Sequence, residues 1–206
     1  WDKIVEYFYL LQKESERIKV IDMGPTTEGN PFLQVVISSP ENLSRLDEIK
    51  RISHMLAECT EITTEERDEL VKKGVCICVQ NMSIHAREIG GTQMSPLLAY
   101  ELLSSSRDEV LNILKNVVLV MIPCANPDGQ IAVTNFYNEY KNTEYEGSSL
   151  PVLCHKYAGH DTNRDAIFNN LVESKYINKI IFWEWLPQVF VDHHQMGSYE
   201  ARMFVP

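Results

Sequence analysis

Apolar residues recur at Ile4, Val5, Phe8 and Leu11 through the stretch 2–17, a spacing that predicts an amphipathic helix with Asp2 available as its N-cap. Residues 18–21 and 32–37 are short β-prone runs separated by Gly24-Pro25 and Gly29-Asn30-Pro31, and they predict a hairpin. Ser39-Pro40-Glu41 opens the next helix, in which Leu43, Leu46, Ile49, Ile52 and Leu56 recur at three- and four-residue steps. A short, highly charged helix is expected from Thr64 to Lys73, ended by Gly74. Val75 to Gln80 is apolar at alternate and intervening positions alike, as in a strand covered on both faces. Helices are expected over 93–104 and 107–115, and a buried strand over 116–122. Asn126-Pro127-Asp128-Gly129 carries turn chemistry, and residues 135–150 are polar enough to predict a long loop. A long helix from Ala166 to about Trp185 and a third buried strand over 188–192 complete the pattern. Strands alternating with helices predict an α/β fold: a mixed, largely parallel sheet with helices on both faces. No internal repeat or linker divides the chain, so residues 1–206 are expected to form a single domain.

Composition narrows the partners. The formal net charge is -10 and no Lys/Arg-rich block occurs. Nucleic acid and anionic membrane surfaces are therefore not expected as partners. No stretch approaches the roughly 20 apolar residues of a membrane span. The chain begins at Trp1 and shows no signal peptide, which leaves the compartment undetermined. The cysteine count of five is odd, and Cys76 and Cys78 alternate inside a strand-like run. Packed thiols explain that better than a disulfide framework and favour a reducing compartment.

Candidate chemistry gathers where strands end. Ser83-Ile84-His85-Ala86-Arg87-Glu88-Ile89-Gly90-Gly91 follows the run ending at Gln80 and precedes a helix. A tight turn there would bring an imidazole and a carboxylate together, a pair that zinc accepts readily. A catalytic zinc takes three protein donors, so a third is needed elsewhere. Asp192-His193-His194 closes the last strand, and strand alternation puts Asp192 and His194 on one face with His193 on the other. Only one of the two histidines is thus expected at the metal. Gly159-His160-Asp161-Thr162-Asn163-Arg164-Asp165 adds a further polar cluster. In α/β sheets ligands bind at the carboxyl ends of strands, where these segments fall.

Four motifs in order carry a resemblance: H-x-x-E at His85 and Glu88, N-P-D-G at Asn126 to Gly129, D-x-N-R at Asp161 to Arg164, and D-x-H at Asp192 to His194. With them, the chain resembles the M14 family of zinc carboxypeptidases. The resemblance implies one zinc ion held by His85, Glu88 and His194, with His193 as the rival for the third place. It implies hydrolysis of carboxy-terminal peptide bonds by a zinc-activated water. Asp161 matches the family residue that hydrogen-bonds a zinc-bound histidine; a helix N-cap acid is the structural alternative. Asn163 and Arg164 match residues that grip the substrate's terminal carboxylate, a task suited to a planar guanidinium fork. The implied substrate is a peptide or small acylated amino acid with a free carboxylate.

The chain also departs from the family pattern. The family's general-base glutamate lies well beyond the third zinc ligand, and no position here matches it; Glu200 and Tyr199 are poor stand-ins for the missing acid and for the tyrosine that closes over substrate. No arginine occurs between Gly129 and Asn163 to stabilise an oxyanion. The expectation is the amino-terminal part of a catalytic domain. A zinc-binding but inactive carboxylate-binding module, or a related amidase or deacylase, stands as the alternative.

Overall fold

The computed structural model describes residues 1–58, 61–153, 155–156 and 162–196. Five strands form one mixed sheet in the order β1-β2-β4-β3-β5. Strand β1 (Ile18–Pro25) and β2 (Pro31–Ile37) make the expected antiparallel hairpin, and β2 pairs antiparallel with β4 (Val117–Ile122). Strand β3 (Cys76–Met82) runs parallel to both β4 and β5 (Val189–His193). The carboxyl ends of β3, β4 and β5 therefore open onto one edge of the molecule. No helix among the described residues is long and apolar enough to cross a membrane.

Strand alternation splits the core into two layers. On one face Phe32, Val36, Ile77, Val79, Val118, Val120 and Ile122 are buried against Leu46 and Ile49 of α3 (Leu46–Ala57) and against Ile180, Ile181 and Trp185. On the other, Leu33, Val35, Ile37, Met82, Leu119 and Met121 meet Phe8 and Leu11 of α1 (Asp2–Glu14). They also meet Ala99 of α5 (Gly90–Ser104) and Val110 and Leu114 of α6 (Asp108–Asn116). Thus β3 and β4 are apolar on both faces because helices cover both, as the sequence predicts.

Local chemistry explains the helix starts. Ser39 caps α2 (Pro40–Ser44) through the Asn42 N–H, with Pro40 at the first turn. Thr63 and Glu66 form a reciprocal capping box at α4 (Thr64–Lys73), which buries none of its residues and is held largely by such local terms.

Three expectations need correction. Asn126 to Gly129 is the start of a helix rather than a free turn: Asn126 caps α7 (Pro127–Tyr140), its Oδ1 accepting the Gly129 N–H at 3.0 Å, and Pro127 occupies the first turn. The first part of the expected loop, 135–140, is consequently the end of α7, and 141–150 is irregular as expected. The expected long helix from Ala166 is broken into α8 (Asp165–Phe168), α9 (Val172–Asn178) and a π-helical segment, Lys179–Trp185. Asn169, left-handed at φ +53°, ends α8, and the buried Asp165 carboxylate accepts the N–H groups of Asn170 and Leu171. Finally, β5 is not a buried strand: Val189 and Phe190 are exposed, because β5 pairs on one side only among the described residues.

Cys76, Cys78 and Cys124 are free thiols. Burial pushes the Cys124 thiol up to about 11. Cys59 and Cys154 lie outside the described residues.

Because Ile77 is fully buried and Thr63 caps an exposed helix, their truncations should separate. In urea unfolding, Ile77→Ala is expected to lose about 2–5 kcal/mol and Thr63→Ala about 1 kcal/mol. Equal losses would contradict this partition of core and cap.

Candidate metal centre

The turn after β3 is built by one residue. Ser83 has φ +52°, a left-handed conformation that costs a non-glycine residue about 1–2 kcal/mol. Its buried hydroxyl donates to the Glu88 carbonyl at 2.6 Å and accepts the Thr92 N–H at 3.1 Å. The loop is thereby closed onto the start of α5. Gly90 and Gly91 permit that closure. A Cβ at Gly91 would lie 3.2 Å from Ser83 Oγ, and one at Gly90 would lie 2.8 Å from Gln195 Nε2.

Three of the motif segments meet at a single carbonyl. Ile84 O accepts from Thr162 Oγ1 at 3.0 Å and from Asn126 Nδ2 at 3.4 Å. The fourth segment docks alongside: the Gln195 N–H donates to Glu88 Oε2 at 2.9 Å, and Gln195 Oε1 accepts the Gly90 N–H at 2.8 Å. Asp128 anchors this corner to the β1–β2 hairpin by accepting from Thr26 Oγ1, Asn30 Nδ2 and the Glu28 N–H at 2.5–2.8 Å.

His85, Glu88 and His194 come together at this edge, their donor atoms all within 4.8 Å of one another. His85 Nδ1 lies 2.8 Å from Glu88 Oε1, and His194 Nδ1 lies 3.0 Å from Glu88 Oε2 and 3.2 Å from His85 Nδ1. Donors bound tetrahedrally at zinc distances are roughly 3.3 Å apart. The observed spacings fall a few tenths of an ångström short of that, so small rotations would admit an ion. The donor set also fits chemically. Two imidazole nitrogens facing each other need a shared proton or a cation between them, and a carboxylate beside them favours the cation.

The structure separates the two adjacent histidines as alternation predicts. His193 pairs with Met82 in the ladder, and its buried Nε2 is hydrogen-bonded to none of the described residues and is not among the clustered donors. Asn163 is half-buried and Arg164 exposed, in a 3-10 turn spanning Thr162–Arg164. The Arg164 guanidinium is bonded to none of the described residues. Asp161 lies outside the described residues, as do Tyr199 and Glu200. Sequence reading missed Asn81 and Gln195 as parts of this edge and gave Asp192 no role of its own. Alternation did place Asp192 beside His194, and that was the available signal.

A His–Glu–His cluster at the carboxyl ends of parallel strands defines a candidate metal centre on an α/β scaffold. The sequence model of the peptidase M14 family, zinc carboxypeptidase, matches residues 4–181, and the chain belongs to that family. The match includes His85, Glu88, Asn163 and Arg164 but stops before His194. Comparison with curated proteins gives no match. Among solved structures, the fold is similar to carboxypeptidase A from Helicoverpa armigera, with TM-score 0.60 and 15% identity over 96% of this chain and 46% of that one. It is also similar to a metallo-carboxypeptidase from Burkholderia cenocepacia, with TM-score 0.58 and 16% identity over 93% of this chain and 39% of that one. A metallo-carboxypeptidase from Pseudomonas aeruginosa, in complex with (2-guanidinoethylmercapto)succinic acid, has TM-score 0.56 and 15% identity over 95% of this chain and 38% of that one. The chain thus spans less than half the length of these structures.

Removing the Ser83 hydroxyl leaves the Thr92 N–H and the Glu88 carbonyl without their partner. Ser83→Ala is expected to lower stability by about 1–3 kcal/mol in denaturant unfolding. A change within about 0.5 kcal/mol would show that the turn is held by other contacts.

Proposed function

We propose that the chain is the metal-binding and substrate-gripping part of a zinc-dependent carboxypeptidase that hydrolyses carboxy-terminal peptide bonds. The observation that carries this reading is the convergence of His85 Nδ1, Glu88 and His194 Nδ1 at one point. Membership of the zinc carboxypeptidase family supports the choice of metal. These three residues would hold one zinc ion. Two neutral imidazoles and one carboxylate leave the site with net charge of about +1. When bound, zinc supplies a Lewis acid that polarises a carbonyl and lowers the pKa of water.

The chain's own residues bind and orient the substrate. Arg164, exposed and unengaged by the described residues, pairs with the terminal carboxylate through its two parallel N–H donors, and Asn163 adds a hydrogen bond. The tie from Thr162 to Ile84 O fixes this turn relative to His85, so that the peptide bond before the terminal residue faces the donor cluster. The succinic acid derivative bound to the Pseudomonas aeruginosa enzyme is a dicarboxylate, in keeping with a site of this kind. The general base belongs, in this reading, to a part of the whole protein beyond the described residues. A zinc-holding, carboxylate-binding module without turnover remains the second reading. It is favoured by one observation: Glu88 and Asp192, the carboxylates that contact the donor histidines among the described residues, are already engaged by hydrogen bonds.

Zinc titration of the metal-free chain is expected to show one tight site, abolished by His85→Ala or His194→Ala and retained in His193→Ala. The converse pattern for the two adjacent histidines would move the third donor to His193. On blocked dipeptides, chelator-sensitive release of the terminal residue is expected wherever the complete catalytic unit is present. There, Arg164→Ala should raise KM about 10- to 100-fold, the equivalent of losing charge-assisted hydrogen bonds. An unchanged KM would remove Arg164 from the substrate site. Zinc binding without release would favour the non-catalytic module.

A further inference from the structure

We infer that Asp192 is a positioning residue for His194, itself held in place by Asn81, and that this strand-borne pair sets which ring nitrogen is offered to the metal. The inference rests on the zinc reading given above and extends it to residues that lie outside the donor set.

His194 uses both ring nitrogens. Nδ1 faces His85 and Glu88, while Nε2 lies 2.9 Å from Asp192 Oδ2. A neutral imidazole carries its one proton on one nitrogen only. A carboxylate faces each nitrogen of the metal-free ring, Glu88 at Nδ1 and Asp192 at Nε2; with a cation held by Glu88, the single proton would sit at Nε2 facing Asp192 and the Nδ1 lone pair would be free for the ion. Without that acceptor, the Nδ1–H form and a rotated ring would compete, and neither can serve as a donor at this point. Metal-bound histidines are commonly held this way, and loss of the outer partner typically costs 10- to 100-fold in affinity.

The carboxylate is fixed in its turn. Asn81 Nδ2 donates to Asp192 Oδ1 at 2.8 Å, so each oxygen of the carboxylate has its own partner. Asn81 is almost wholly buried and pairs with Asp192 across the parallel β3–β5 ladder. Its backbone also pairs with Ile122 on the other side. The relay therefore starts from a residue clamped between two strands and ends at a ring on the exposed edge. His194 is the most exposed of the three donors and follows β5 directly, with no further ladder contact among the described residues. It needs a side-chain restraint more than His85 does.

The test is zinc affinity, measured by competition with a chromophoric chelator on the unmodified chain and on Asp192→Asn, Asp192→Ala and Asn81→Ala, with the thermal midpoint of each metal-free protein recorded alongside. Imidazole nitrogen NMR of the zinc-loaded chain reports which His194 nitrogen keeps its proton. The expected result is an Nε2–H His194 in the unmodified, zinc-loaded chain. Zinc affinity should fall 10- to 100-fold for both Asp192 variants and less for Asn81→Ala, with the metal-free midpoint of Asp192→Asn little changed. Unchanged affinity in both Asp192 variants, or a loss that follows a collapse of the metal-free midpoint of Asp192→Asn, overturns the inference while leaving the zinc site standing. Absence of zinc binding by the unmodified, folded chain overturns the zinc reading itself, and this inference with it.

Discussion

The turn between Met82 and Gly90 is the constraint on which the rest of the site depends. A chain leaving a buried parallel strand must reverse within a few residues to bring a histidine and a glutamate onto one point. Ser83 makes the reversal by adopting a left-handed conformation that costs about 1–2 kcal/mol. Its two hydrogen bonds, to Glu88 O and from Thr92 N, offset that cost at about 1 kcal/mol each. The Ile84 carbonyl inside the turn then becomes the landing point for Asn126 and Thr162. A distortion here would loosen the N-P-D-G helix start and the Asn163-Arg164 turn together.

The electrostatics of the cluster follow from that geometry. His85 and His194 present like atoms to each other at 3.2 Å, and their rings are tilted by 48° with centroids 4.8 Å apart. Glu88 bridges them with one oxygen to each ring, while the Gln195 N–H supports the oxygen facing His194. In the absence of a cation, a proton on one of the facing nitrogens can satisfy this arrangement, at the expense of the other ring's donor capacity. A divalent ion satisfies all three groups at once. The same three side chains are therefore compact as they stand and would need to move apart only slightly to admit an ion.

Much of this was legible in the sequence, and the failures have physical causes. Periodicity located the strands because β3 and β4 are covered on both faces and need apolar residues throughout. The separation of His193 from His194 followed from the two-residue repeat of a strand, which also put Asp192 beside His194. Asn126-Pro127-Asp128-Gly129 misled because Asn and Pro mark both turns and helix starts. The helix reading is realised by the Asn126 cap and Pro127 in the first turn, and Asp128 is free to reach Thr26, Glu28 and Asn30 far away in sequence. The break after Phe168 was equally hidden: it needs the Asp165 carboxylate to draw in two backbone N–H groups, a local bond that an apolar pattern does not register. The exposure of β5 was misread because an apolar strand looks the same in sequence whether it has two neighbours or one.

Register decides which histidine joins His85 and Glu88 in the donor cluster. In the β3–β5 ladder Asn81 stands opposite Asp192 and Met82 opposite His193. A slip of one residue would turn His194 away and bring His193 to the cluster, since successive side chains of a strand point to opposite faces. The register is held at both ends of the ladder by polar groups rather than by apolar packing alone. At the start, Gln188 exchanges two bonds with Ile77, its N–H to Ile77 O at 3.1 Å and its side-chain oxygen to Ile77 N at 2.8 Å. Its amide nitrogen reaches Ser53 Oγ at 3.0 Å, which ties β5 to α3 as well. At the far end the Asn81–Asp192 bond closes the ladder. Paired on one side only among the described residues and with two exposed apolar side chains, β5 has little packing there to resist slippage, so these directional bonds carry the specification. Of these, the Asn81–Asp192 bond sits beside the donor cluster, where a register error would change which side chains meet and not merely the stability.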